Sequence, residues 1–62
     1  MKKYVFLLKQ HEQIEEVCYF EKFSDADTYY TKRGNQLCER GEHFEMKVVD
    51  SSTDEILESI EF

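Results

Sequence analysis

The sequence predicts an α+β domain of order ββαββ: a four-stranded, mainly antiparallel sheet with one helix packed on one face. Three observations carry this. Two runs dense in β-forming residues, Lys3 to Lys9 and Ile14 to Phe20, flank a short polar interruption. A segment beginning near Ser24 and ending at Gly41 has the start and stop signals of a helix. Beyond it, His43 to Val49 alternates polar and apolar, the period of a half-buried strand.

Between the first two strands, Gln10-His11-Glu12-Gln13 reads as a hairpin turn. In the helix, Ser24 is placed to cap the exposed N–H groups. Asp25 and Asp27 are expected in its first turn, where the helix dipole favours negative charge. The helix should run to Glu39 or Arg40, with Gly41 in the left-handed position that ends it. Its inward stripe is expected to be Ala26, Tyr30, Gly34, Leu37 and Cys38. Gly34 lowers helix propensity by about 1 kcal/mol, but a small residue there lets the helix sit close on the sheet.

In the third strand Phe44, Met46 and Val48 face one way, and His43, Glu45 and Lys47 the other. Asp50 to Asp54 is a turn cluster. The segment from Glu55 to Phe62 has two readings. Ser52 and Glu55 could form a capping box, with Ile56, Leu57 and Ile60 on one helical face. Alternatively Ile56, Ile60 and Phe62 alternate as a strand, with Glu58 as the exception. A short turn after a strand, together with the β-branched pair, favours the strand.

One helix covers one face of a sheet, so the other face should be polar. The first two strands break that rule. Tyr4, Phe6 and Leu8 point one way while Val5 and Leu7 point the other; Cys18 and Phe20 oppose Val17 and Tyr19. Strands apolar on both sides imply a second cover. Val5, Leu7, Val17 and Tyr19 therefore form a candidate face for a homodimer or for a different protein. The C-terminal segment, if helical, would be a third cover.

The 62 residues are read as one whole domain, 1–62, of the cytoplasm. The longest apolar run, Tyr4 to Leu8, is too short for a membrane span or a signal peptide. The two cysteines do not make a disulfide framework and are expected to be reduced. So small a chain leaves little room for a water-excluding catalytic cleft, and no enzyme is expected. His11, Cys18, Cys38 and His43 are zinc-ligand types at poor spacing, without a C-x2-C anchor, so neither metal nor cofactor is expected. Cys38 with His43 lacks the surroundings of a recognisable nucleophile motif, and Gly34 and Gly41 stand alone rather than in a phosphate loop.

Charge is uneven. The net charge is −6, and residues 42–62 hold the excess: Glu42, Glu45, Asp50, Asp54, Glu55, Glu58 and Glu61 against Lys47. This disfavours direct nucleic-acid binding and attracts a protein with a basic surface. Glu45, Asp54, Glu55, Glu58 and Glu61 are the candidate acidic partner face; on one surface they could imitate a nucleic-acid backbone. Short, acidic and β-rich, the chain resembles inhibitor proteins made by bacteriophages, a likeness of size and charge. The reading is a non-enzymatic interaction module, in the form of a phage or mobile-element inhibitor that binds a bacterial enzyme. The alternative is a regulator that binds nucleic acid or an anionic ligand through Lys32, Arg33 and Arg40.

Overall fold

A computed structural model describes residues 2–62. The chain forms β1 (Tyr4–Gln10), β2 (Gln13–Phe20), α1 (Phe23–Glu39), β3 (Glu45–Asp50) and β4 (Glu55–Glu61). The sheet order is β2-β1-β3-β4, with every neighbouring pair antiparallel. The C-terminal segment is thus a strand. The connection from β2 through α1 to β3 passes over β1, which lets one helix lie across the middle of the sheet. No helix among the described residues is long and apolar enough to cross a membrane.

The core is the layer between α1 and the sheet. Phe6 and Leu8 of β1, Met46 and Val48 of β3, Phe44 just before β3, and Ala26 and Leu37 of α1 are all buried. Tyr29 closes this layer toward β2, its ring edge-on to Phe6 at 5.0 Å between centroids. At the far end, Phe44 and Phe62 stack at 5.6 Å and exchange two backbone hydrogen bonds, so the chain's last residue is tied into the sheet.

The helix differs from expectation at its start. Lys22, not Ser24, is the N-cap, and no side chain caps it. Phe23 is drawn in because its ring packs on Tyr4 at 5.8 Å. Apolar packing outweighs a cap of about 1 kcal/mol. Ser24 becomes helical, and its carbonyl accepts from Thr28 Oγ1 at 2.8 Å. Only Asp25 of the two aspartates lies in the first turn.

The helix ends as expected. Gly41 has φ +70°, its N–H reaches Cys38 O at 3.0 Å, and the Glu42 N–H reaches Leu37 O at 3.1 Å. This is a Schellman motif, and only glycine adopts that φ without strain. The inward stripe is rotated from the expected one. At about 100° per residue, Leu37 and Arg33 lie within about 20° of Ala26, whereas Cys38 lies about 120° away. Cys38 is accordingly exposed, and Tyr29 and Arg33 face inward beside Tyr30.

Gly34 holds the closest approach: a Cβ there would stand 2.9 Å from Met46 Cε. The Met46 side chain is flexible and can yield to one methyl, but not to a branched group. Gly34→Ala should therefore be nearly neutral, because the gain in propensity offsets the displacement. Gly34→Val should cost about 1–3 kcal/mol through overpacking. Urea denaturation of the two variants checks this.

Each outer strand carries a β-bulge, and neither was expected. In β2 the register jumps from Leu8↔Glu16 to Lys9↔Ile14, and in β4 from Val48↔Glu58 to Val49↔Ile56. The bulge in β4 breaks the expected alternation: Glu58 and Ile60 share the helix side, while Ile56 is turned to the opposite face.

The β1–β2 turn is two residues, His11 (φ 53°) and Glu12 (φ 63°). Two positive φ values match the strand twist, but this geometry ordinarily takes Asn-Gly. Glu12→Gly is expected to stabilise the fold by about 1 kcal/mol by relieving the left-handed glutamate. A thermal melt that moved down, or not at all, would contradict this.

Candidate functional site

Among the described residues no element covers the face of the sheet away from α1. By register, Tyr19, Val5, Val49 and Ile56 form a row across all four strands in the order β2, β1, β3, β4. The next row is Val17, Leu7, Lys47 and Ser59, and the third is Ile14, Lys9, Glu45 and Glu61. Val5, Leu7, Val17 and Tyr19, singled out from the sequence, therefore share this face. Ile14, Val49 and Ile56 join them. Ile14 and Ile56 were missed because the bulges that turn them outward leave no clear mark in the sequence; Val49 follows the alternation of Glu45 and Lys47 and could have been found from it. Exposure is high for apolar side chains: Ile14 64%, Tyr19 58%, Ile56 55% and Val17 42%. Val5, Leu7 and Val49 are half-buried by their neighbours. A shallow hollow of about 230 Å³ lies between Leu7, Ile14, Lys9, Glu45 and Lys47. Within it Lys47 Nζ lies 3.2 Å from Glu45 Oε2.

The acidic residues do not share one surface. Glu45 and Glu61 are register neighbours on the uncovered face. Asp54 (φ 60°) belongs to the β3–β4 turn, with Glu55 beside it at the start of β4. Glu58 lies on the helix side against Asp27. Five acids divided between two faces and a turn cannot form one phosphate-like row. The turn itself is built by Asp50, whose Oδ1 accepts from Ser52 N at 2.9 Å and Ser52 Oγ at 2.6 Å. These bonds, with Lys3 at 3.5 Å, hold the Asp50 carboxyl below its ordinary pKa.

The basic residues of α1 are also divided. Arg33 Nε donates to Glu16 Oε2 at 3.2 Å, and Arg40 Nη1 lies 3.7 Å from Glu42 Oε2. Lys32 is exposed. With both guanidinium groups engaged, the expected patch is not a free cluster of three charges. Glu16 is the anchor that sequence reasoning overlooked: it also accepts the Tyr29 hydroxyl. That bond, first, and burial, second, push the Tyr29 pKa up. The signal was available, since Glu16 alternates onto the same side of β2 as Cys18 and Phe20.

Cys18 and Cys38 are not bridged. Burial raises the Cys18 thiol pKa, the opposite of what a nucleophile needs. Among the described residues no three or more His, Cys, Asp or Glu groups gather as metal ligands. His11 and His43 border an open cleft of about 460 Å³ at the sheet end, beside Phe44 and Phe62. His43 Nδ1 lies 3.3 Å from Phe62 O. Comparison with family models, with curated proteins and with solved structures finds no match to this chain.

Glu58 is the most perturbed carboxyl. Burial first, then hydrogen bonding and charge at Asp27, raises its pKa from 4.5 to about 7. Its Oε1 is buried without a hydrogen-bond partner among the described residues. The folded chain thus holds a proton that the unfolded chain has lost, so stability is highest below pH 4.5 for this group and falls as pH rises through about 7. Glu58→Gln should remove that slope and raise stability at pH 8 by about 1–2 kcal/mol. Parallel urea titrations at pH 5 and pH 8 measure it.

Proposed function

We propose that this chain is a non-enzymatic protein-interaction module of the cytoplasm, and that the uncovered sheet face is the surface it docks with. One observation carries this reading: the apolar row Tyr19, Val5, Val49, Ile56 runs unbroken across the sheet. An apolar surface several strands wide is a feature of interaction sites rather than of freely solvated faces. The aromatic Tyr19 is the natural anchor, being rigid, large and apolar with a polar tip.

The form of module we favour is a phage or mobile-element inhibitor of a bacterial enzyme. The net charge of −6 would draw it to a basic partner surface. With its acids spread over two faces and a turn, that charge acts by long-range steering rather than by imitation of a nucleic-acid backbone. Asp54 and Glu55 lie at the β3–β4 turn, off the docking face. Neutralising both should slow association with such a partner at low salt while leaving dissociation nearly unchanged.

The reading is tested by native mass spectrometry of the protein isolated gently from a bacterial extract, alongside Tyr19→Lys. A stoichiometric complex with a bacterial enzyme that Tyr19→Lys loses, together with inhibition of that enzyme, is the expected result. A protein recovered alone, as a monomer, in both forms would refute it.

A further inference from the structure

Resting on that reading, we propose a specific occupant for the uncovered face while no other protein holds it: the same face of a second copy of this chain, related by a twofold axis parallel to the strands and passing between β1 and β3, so that the dimer and the enzyme complex exclude one another. The charge distribution is the first argument. The paired strand positions of this face carry Lys9 and Lys47 against Glu45 and Glu61, and so no net charge. The chain as a whole carries −6, so most of its excess acid lies outside these paired positions, Glu15 in the β2 bulge being the acid that borders them. Two copies can therefore meet here without bringing like-charged surfaces together.

The register supplies the second argument. A twofold axis along the strands lays β1 over the partner's β3, and β2 over the partner's β4. Val5 then meets Val49 of the partner subunit, and Tyr19 meets Ile56 of the partner subunit. In the second row Lys47, held by its own Glu45 at 3.2 Å, comes over Leu7 of the partner subunit. In the third row Lys9 meets Glu45 of the partner subunit, twice by symmetry, and Glu61 comes over Ile14 of the partner subunit at the edge of the sheet. An axis running across the strands would instead press the row holding Lys9, Glu45 and Glu61 onto the apolar row of Val5, Val49 and Ile56. That would strip water from charges without pairing them, a costly arrangement. Sheets packed this way stay within about 30° of aligned, close enough to keep the rows together.

The edges give the third. Dimers of small sheets also form by pairing outer strands, but here both outer strands are bulged, β2 between Glu16 and Ile14 and β4 between Glu58 and Ile56. Bulges interrupt the ladder that a second strand would extend. The faces are left as the surfaces able to meet. With strands about 4.8 Å apart and residue pairs repeating every 6.8 Å or so, three rows on four strands offer roughly 400 Å² per copy. About 800 Å² in all is below the size of standard stable interfaces, which fits a weak, reversible dimer in the upper micromolar range.

Sedimentation equilibrium over a wide concentration range, with Val17→Lys, Tyr19→Lys, Lys9→Glu and Glu45→Lys, tests this; circular dichroism first confirms that each variant is folded. The wild type should pass from monomer to dimer with rising concentration. Val17→Lys and Tyr19→Lys should each weaken the dimer by about tenfold or more, since each buries a charge. Lys9→Glu and Glu45→Lys should weaken their own dimers, and an equimolar mixture should form the mixed dimer in preference to either. A wild type that stays monomeric to about 1 mM, above an upper-micromolar Kd, overturns the proposal, as does a dimer indifferent to Val17→Lys and Tyr19→Lys. Equal amounts of mixed and unmixed dimers overturn the axis. If the chain is monomeric but Tyr19→Lys still costs it a bacterial partner, the second copy is wrong and the interaction module stands; if neither is seen, both fall.

Discussion

A single helix of 17 residues has to serve as the cover for a four-stranded sheet, and it can cover only one side. Every buried residue of the core lies in or beside the layer between that helix and the sheet. The strands nevertheless carry apolar residues on both sides, and the described residues form no second layer. The exposed row of Tyr19, Val5, Val49 and Ile56 is the consequence. A sheet that expected water there would alternate, as the β3 segment from Glu45 to Val48 does.

The seating of the helix sets how that sheet is held. Gly34 removes the side chain that would keep α1 off Met46, and the Schellman turn at Gly41 directs the chain back toward β3. At the opposite edge, Glu16 gathers Tyr29 and Arg33, fixing the helix over β2. These two contacts lie on different strands and leave the helix little freedom to shift. Toward β4 the seating is weaker. There Glu58 faces Asp27, and burial together with that neighbouring carboxyl raises the Glu58 pKa to about 7, so its charged form weakens this side of the sheet.

The element order, the hairpin turn, the glycine stop and the two-faced character of β1 and β2 were legible because each follows from local chemistry: period, turn residues or φ. What the sequence hid depends on partners distant along the chain. Phe23 starts the helix early because Tyr4, 19 residues before it, offers a ring to pack on. Glu15 and Leu57 mark the bulges, yet nothing in either residue type distinguishes it from an ordinary strand position. Cys38 was misplaced for a simpler reason: a stripe counted in steps of three and four drifts around the helix, and Leu37 had already returned to the direction of Ala26. The same drift concealed Arg33, whose charge looked like a surface feature until Glu16 was placed beneath it.

The bulges also connect the fold to its surface. By turning Ile14 and Ile56 to the uncovered side, they widen the apolar face at both of its edges while spoiling those edges as templates for another strand. A bulge that served only to protect an edge could have turned a charged residue outward instead. Here it exchanges a hydrogen-bonding edge for additional apolar area, and it does so on both outer strands. The uncovered face thus gains apolar area while each edge loses part of its ladder. The acids on the turn and the helix side, off that face, can attract or repel an approaching partner without being buried by it, while Glu45 and Glu61 lie on the face itself.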